Sequence, residues 1–250
     1  MFNVDLARSS SILYVNKTLN VESKLTIIKE SMMLHAHENT LHITHLSNHA
    51  VEELSPSFSK LPSTEHADGQ FRLRRYSVVQ FSNGQVVEQD KHNFVQSENI
   101  NHFQGDVVRQ FEPIEAKILS SEGMQEMCEL FIETNGLEDG QEIEIHQIRI
   151  AAIFEETQVA PEGVHQDGFD HIALIGVNRH NIVGGEIMLY QDSHEAPFFR
   201  KVLGDGEVAM LADSKLWHNA QPIRTIDHGE MGYMDVFVLT AKDARNVLHS

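Results

Sequence analysis

Cysteine and positive charge are both scarce in this sequence. Cys128 is the single cysteine among 250 residues, so the chain can form neither an intramolecular disulfide nor a zinc site made of cysteine pairs. Lys and Arg number 19 against 37 Asp and Glu, which gives a formal net charge of −18 at pH 7. So acidic a chain repels the phosphate backbone that supplies most nucleic-acid affinity. We therefore expect neither nucleic acid nor an anionic membrane as a partner.

Long apolar runs are missing as well. No stretch approaches the roughly 18 residues that span a bilayer, and the first 14 residues carry Asp5 and Arg8 where a signal peptide has about 7–15 apolar residues. We expect a cytoplasmic protein in a reducing compartment. Hydrophobic residues make up 41% of the chain, enough for a sizeable core, and no Pro/Gly-rich linker interrupts it. Residues 1–250 are therefore expected to form a single domain.

The pattern of apolar residues changes along the chain. Residues 1–70 predict a helical amino-terminal cap, since Ser23–Leu34 has apolar residues at helical spacing. Residues 71–141 predict supporting strands and one amphipathic helix, Ser121–Thr134, whose Met124, Met127, Leu130 and Phe131 recur every three or four positions. Short β-rich runs separated by glycine turns fill residues 142–241. The chain is thus predicted to be mainly β with flanking helices, with a sandwich or jelly-roll barrel behind.

His165 and Asp167 form the sharpest local motif. On an extended segment, residues i and i+2 point to the same side, so this pair can supply two ligands to one metal. His218 is the candidate third ligand. Two histidines and one carboxylate leave open positions on a metal, as in non-haem Fe(II) oxygenases. Because the chain has 16 histidines, a chance His-x-Asp match is the competing interpretation.

Several short motifs appear together in a specific order. They are Phe71–Tyr76, Gln96-Ser97 with Asn101, Gly105, Val108, Arg109 and Phe111, then His146-Gln147-Ile148-Arg149, His165–Gly168, Gly184-Gly185-Glu186, and His218 with Pro222. In this order, over Phe71 to Ala241, the chain resembles the Fe(II)/2-oxoglutarate-dependent dioxygenases that include bacterial L-isoleucine 4-hydroxylase and BsmA. The resemblance implies a double-stranded β-helix of jelly-roll, cupin-like type, with Fe(II) held by His165, Asp167 and His218 and 2-oxoglutarate as cosubstrate.

One position departs from this family. The strand after the distal histidine usually opens with Arg-Asp, and the arginine grips the distal carboxylate of 2-oxoglutarate, but here the pair reads Met234-Asp235. Because a buried carboxylate needs a cationic partner, another arginine is expected to replace it. The candidates, in order of expectation, are Arg149, Arg224 and Arg179. For each of them a surface salt bridge is the competing interpretation.

The family's substrate class predicts an enzyme that hydroxylates a free, aliphatic L-amino acid. Arg72 and Arg74 share one face of the predicted strand that follows Phe71, so they could bind the substrate's carboxylate, or they could pair with the surplus acids. Met234 favours an alternative, a catalytically weakened relative that acts as a metal-binding sensor or stress-response protein. A metal-dependent barrel of the cupin type is a third possibility, disfavoured by the match of the front-half motifs.

Overall fold

The structure, a computed structural model, describes residues 40–91, 93–96 and 105–243. These residues lie in one compact unit, Thr40–Ser250. The helices are α1 (Asn48–Leu54), a 3-10 helix (Ser55–Lys60), α2 (Ala116–Leu119) and α3 (Glu122–Asn135). The strands are β1 (Leu41–His45), β2 (Arg72–Ser82), β3 (Gln85–Glu88), β4 (Asn93–Phe94), β5 (Arg109–Gln110), β6 (Gln141–Ala151), β7 (His171–His180), β8 (Ile182–Gly184), β9 (Ile187–Tyr190), β10 (Phe199–Lys201), β11 (Glu207–Ala212), β12 (Trp217–Ala220), β13 (Ile223–Thr225) and β14 (Tyr233–Ala241).

A seven-stranded antiparallel sheet forms the centre of the fold. Its strands lie in the order β1-β11-β7-β14-β6-β2-β3. The longest pairing joins β2 to β6 over ten positions, from Arg72 opposite Ile150 to Phe81 opposite Gln141. The sheet therefore draws strands from well before residue 142, including β2, which lies in the region expected to supply supporting strands. These pairings join segments far apart in the chain, which local patterns do not encode.

Three smaller sheets accompany the large one: β10-β9-β12, β13-β8 and β4-β5. Residues of β8 and β13 pack with Ile148, Ile150 and Met234 of the large sheet in one apolar cluster. Within the part of the chain that the structure describes, the sheets do not close into a barrel, since the outermost strands β1 and β3 pair with no strand of the smaller sheets. The mainly β, jelly-roll-like class is thus supported, while the closed double-stranded β-helix barrel is not.

Helix α3 confirms the predicted amphipathic helix. The Ser121 hydroxyl accepts a hydrogen bond from the backbone N–H of Met124 at its start, and Gly136 ends it with a left-handed φ of 60°. Met124, Met127 and Phe131 are buried against Ile143, Ile145, Phe237 and Leu239 of the large sheet. The helix therefore packs on one face of the sheet, as predicted.

The amino-terminal region is described only from Thr40 onward. The predicted helix Ser23–Leu34 lies outside the described residues. Thr40 to Gln70 contains the edge strand β1 as well as α1 and the 3-10 helix. None of the described helices is long and apolar enough to span a membrane.

The two faces of the large sheet have different roles. On β6, Ile143 and Ile145 face the helices, whereas His146, Ile148 and Ile150 line a cavity on the other side. On β14, Phe237 and Leu239 belong to the helix-packed core, and Met234, Val236 and Val238 line the same cavity. Strand alternation thus separates a structural face from a cavity face.

Candidate metal centre and cavity

His165 and His218 lie directly opposite each other in a single antiparallel bridge. The backbone N–H of each donates to the carbonyl of the other at 2.9 Å. Directly opposed side chains of such a pair project on the same side, and the two imidazole rings lie 4.3 Å apart between centroids. Backbone pairing therefore brings together two residues that are far apart in sequence.

Asp167 completes a group of three possible ligands. Its Oδ1 lies 3.5 Å from His165 Nε2 and its Oδ2 lies 3.6 Å from His218 Nε2. One ligand atom from each residue falls within 4.8 Å of the other two. Ligands bonded to one metal at about 2.0–2.2 Å lie about 3 Å apart when their bonds are perpendicular, so small adjustments suffice for joint coordination. The predicted triad is thus assembled.

The protonation of the triad follows from its burial and its neighbours. Burial acts to raise the pKa of Asp167, but the hydrogen bond from His165 and the nearby His218 outweigh it, and the pKa lies below its ordinary value. Burial acts to lower the pKa of His165, but Asp167 and Glu162 raise it to about 9. Without metal, the pair is therefore a carboxylate beside a protonated imidazole, and binding a metal displaces the imidazole proton.

The donor atoms suit a divalent metal with open positions. His165 Nδ1 donates to the carbonyl of Gly163 at 2.9 Å, since a carbonyl can only accept, and this leaves Nε2 to bind metal. His218 Nε2 is buried and has no hydrogen-bond partner among the described residues. Two imidazoles and one carboxylate are the donor set of non-haem Fe(II) sites. The residues present therefore fit iron.

Asp213 holds the segment that carries Asp167. Its buried carboxylate accepts backbone N–H bonds from Asp167 at 3.0 Å, Gly168 at 2.8 Å and Phe169 at 3.0 Å. Its Oδ1 also lies 3.4 Å from His218 Nε2. Asp213 is not part of any of the motifs that predicted the site. Its position five residues before His218 is the one available signal, and that signal is weak.

A second support contacts the carboxylate of Asp167. Gln96 Nε2 donates to Asp167 Oδ1 at 3.0 Å, and Arg109 Nη2 donates to Gln96 Oε1 at 2.9 Å. Arg109 is buried, with its guanidinium 4.6 Å from the centroid of the Phe94 ring. This chain fixes the orientation of the carboxylate, and it gives a structural role to two residues of the family resemblance.

A cavity opens beside the triad, and a cluster of charged side chains lines it. Arg72 Nη1 lies 3.1 Å from Asp68 Oδ2 and 3.5 Å from Glu162 Oε1, and Arg74 Nη2 lies 3.8 Å from Asp68 Oδ2. Burial and the charge of Arg72 lower the pKa of Arg74 to about 9, although Asp68 acts in the opposite direction. The predicted placement of Arg72 and Arg74 on one face of β2 is confirmed, and both line the cavity.

His146 is a cavity residue without a place in the triad. The His146 side chain is buried. Its ring centroid lies 4.7 Å from that of Tyr76 and 4.6 Å from that of Phe94. Burial, followed by the charge of Arg74, holds its pKa well below the ordinary value. It is therefore a neutral imidazole in an aromatic setting.

The three candidate arginines for 2-oxoglutarate lie in different environments. Arg149 donates from Nε and Nη2 to the two oxygens of Asp235, both at 2.7 Å, and stacks on Tyr233. Arg149 and His146 are three positions apart on β6, and successive side chains of a strand point to opposite faces. Arg149 therefore lies on the sheet face away from the cavity that His146 lines. Arg224 is 60% exposed and 3.9 Å from Glu156. Of the three, Arg179 alone is among the described residues that line the cavity.

Comparison with known proteins identifies the family. The family described as 2OG-Fe dioxygenase matches residues 55–240, more than half of the chain. A bsmA homolog from Methylobium petroleophilum PM1 has the same fold, with a TM-score of 0.67 at 22% identity over 78% of this chain and 82% of that chain. IDO from Bacillus thuringiensis gives 0.65 at 19% identity over 82% and 95%. The Fe(II)/(alpha)ketoglutarate-dependent dioxygenase TqaL gives 0.55 at 15% identity over 87% and 88%.

No curated protein matches the chain by sequence. The structural neighbours support the fold, and the family match covers the region that contains all three ligands of the triad. This chain therefore belongs to the 2OG-Fe dioxygenase family of oxidoreductases, which use Fe(II) and 2-oxoglutarate.

Proposed function

We propose that this dioxygenase hydroxylates a free L-amino acid with an aliphatic side chain, and that it belongs with the L-isoleucine 4-hydroxylase and BsmA-like proteins. The observation that carries the proposal is a largely buried pair of opposite charges on the cavity wall, Arg72 and Glu162. A free amino acid carries a carboxylate and an ammonium group on neighbouring atoms. The two side chains match both groups.

The charges of the wall favour an anionic group in the cavity. The guanidinium groups of Arg72, Arg74 and Arg109 interact with the carboxylates of Asp68 and Glu162, and the third nearby acid, Asp167, belongs to the metal triad. A metal that binds Asp167 therefore leaves three cations beside two acids. The pKa of Arg74 is lowered by its burial first and by the neighbouring charge of Arg72 second. A substrate carboxylate beside Arg72 and Arg74 would balance the third cation, since a bidentate guanidinium–carboxylate pair is the best match between the two groups.

The rest of the cavity suits an aliphatic side chain. Its apolar lining includes Ile148, Ile150, Val159, Leu174, Ile187 and Leu203. Fe(II) and 2-oxoglutarate supply the oxidising chemistry when bound. The chain's own residues then orient the substrate: the charged wall fixes its amino-acid end, and the apolar wall directs a carbon of its side chain toward the triad.

The proposal is tested by the release of labelled carbon dioxide from 2-oxoglutarate labelled at C1. Iron-loaded protein is incubated with single L-amino acids, and we expect one or a few aliphatic ones to stimulate release. The α-hydroxy acid lacks the ammonium group of the best substrate, and the primary amine lacks its carboxylate; both should be poor substrates. If no amino acid stimulates release while 2-oxoglutarate still binds, this proposal is wrong and the sensor interpretation is left standing.

A variant of Glu162 tests the wall directly. Glu162→Gln removes the partner of the ammonium group, so KM for the amino acid should rise about tenfold or more, as for a lost hydrogen bond to a charge. The preference of the Glu162→Gln variant for the amino acid over the α-hydroxy acid should shrink. Its preference for the amino acid over the primary amine should remain. Glu155→Gln, which changes an exposed carboxylate of the same region, is the matched control. An unchanged preference in Glu162→Gln would contradict the assignment.

A further inference from the structure

By the resemblance drawn from the sequence, Met234 stands where the family has an arginine, and Arg179 is its neighbour on the adjacent strand. The two residues are directly opposite in the pairing of β14 with β7. Both line the cavity that contains the metal triad. A Cβ added to Gly185 would lie 3.0 Å from both Arg179 Nη1 and Met234 Sδ. The two side chains therefore end in the same small volume.

A β-bulge aims Arg179 into the cavity. Along β7, Leu174 and Gly176 line the cavity, and regular alternation would place Asn178 there next. The register with β14 shifts, because Asp235 pairs with Asn178 whereas Val236 pairs with Gly176. Val177 is thus an extra residue. The bulge reverses the alternation, as bulges beside active sites often do, and Arg179 lines the cavity in place of Asn178.

Two glycines hold the guanidinium in place. Arg179 Nη2 donates to the carbonyl of Gly184 at 2.7 Å. Gly184 and Gly185 have φ values of 85° and 68°, and a side chain at Gly185 would press on Arg179 Nη1. Gly184 thus binds the guanidinium through its carbonyl, and Gly185 leaves room for Nη1.

One nitrogen of the guanidinium is left for a ligand. Arg179 Nη1 is buried and has no hydrogen-bond partner among the described residues. A buried cationic donor without a partner is costly, so its retention points to an anion that binds there. Arg149 and Arg224 are already paired with Asp235 and Glu156 and cannot serve without breaking those contacts.

We propose that Arg179 replaces the family arginine at position 234 and binds the distal carboxylate of 2-oxoglutarate through Nη1. The anchor has moved from β14 to the neighbouring strand, and the bulge at Val177 makes the exchange possible. This inference rests on the cosubstrate of the family and not on the identity of the amino-acid substrate. It also removes the reason for assigning the chain to a weakened sensor, since the missing cation is supplied from elsewhere.

The test compares two ligands that differ in one group. Metal-loaded protein is titrated calorimetrically, without oxygen or amino acid, with 2-oxoglutarate and with 2-oxopentanoate, which has a methyl group in place of the distal carboxylate. The parent should prefer 2-oxoglutarate by about 100-fold or more, the usual cost of removing one partner of a buried pair. Arg179→Met should lose this preference while its affinity for 2-oxopentanoate changes little. Arg224→Met, which removes an exposed arginine, is the matched control.

A second variant returns the charge to the family position. In Arg179→Met combined with Met234→Arg, the guanidinium comes from β14 and the apolar side chain from β7, so the preference for 2-oxoglutarate should reappear. Thermal unfolding checks that each variant is folded. The inference is wrong if the parent shows no preference, if Arg179→Met keeps it, or if Arg179→Met weakens both ligands equally. Because no amino acid is present, these results do not depend on which substrate the enzyme hydroxylates.

Discussion

Asp213 accepts three consecutive backbone N–H bonds from the segment of Asp167, so one side chain sets the position of another that binds metal. Gln96 in turn donates a hydrogen bond to the carboxylate of Asp167 itself. Groups of this kind orient ligands without contacting the metal, and their loss typically weakens metal affinity about 10–100-fold. The triad is thus only part of the metal centre.

Asp213→Asn is expected to weaken metal binding about 10–100-fold while all three ligands remain. The amide replaces one acceptor oxygen by a donor, so at least one of the backbone N–H groups at 167–169 loses its partner. Competition with a chelator measures the affinity. Asp192→Asn changes an exposed carboxylate and serves as the control. Equal affinity of Asp213→Asn and the parent would show that Asp213 does not position Asp167.

Metal should raise the melting temperature of the parent, whereas the melting temperature of His218→Ala should not change when metal is added. A ligand at 100 times its Kd stabilises the folded state by about 2.7 kcal/mol, which corresponds to a rise of about 5–10 °C for a domain of this size. Thermal unfolding with and without Mn(II) measures the shift. His194→Ala, an exposed histidine, should shift like the parent. A full shift in His218→Ala would remove it from the metal site.

Helices α1 and α3 approach closely at Gly123, where a larger side chain would be crowded. A Cβ at Gly123 would lie 3.0 Å from the backbone Cα and carbonyl oxygen of Ala50, and 3.1 Å from Leu54 Cγ. The backbone N–H of Gly123 also donates to Glu53 at 2.7 Å. The contact fixes α3 against the segment that follows β1.

Gly123→Ala is expected to destabilise the protein by about 1–3 kcal/mol, the typical cost of overpacking a core. Alanine is the better helix former, so intrinsic propensity alone predicts the opposite sign. Urea unfolding measures the free energy of unfolding. Glu129→Ala, at an exposed position of the same helix, should change it by less than about 0.5 kcal/mol. A more stable Gly123→Ala would show that the two helices can separate without cost.

Local periodicity predicted α3, the shared face of Arg72 and Arg74, and the pairing of His165 with Asp167, because each depends on neighbours in the sequence. Parity along β6 also shows that His146 and Arg149 cannot both face one cavity, a signal that the ranking of Arg149 overlooked. The role of Arg179 was not predictable in this way, because an extra residue in β7 reverses the alternation. Asp213 and the ten-position pairing of β2 with β6 depend on contacts between distant segments.

At the scale of the whole molecule, Cys128 reports on the integrity of the core. It is fully buried in the cluster beneath α3, and burial raises the pKa of its thiol to about 12. Since the thiolate is the reactive form, the native protein should be inert to a thiol reagent such as DTNB at pH 8. One thiol per chain should become reactive in urea along the unfolding curve. Reaction in the native state on the timescale of minutes would reveal opening beneath α3.

The bridge between His165 and His218 joins, through two backbone hydrogen bonds, residues about 50 positions apart in the chain. A metal that binds both imidazoles ties the same two points together a second time. Its effect on the chain is therefore that of a crosslink, which lowers the conformational entropy of every state in which the bridge is open. The single cysteine excludes an internal disulfide, so the metal ion that takes part in the reaction would also be a reversible crosslink within the cavity wall.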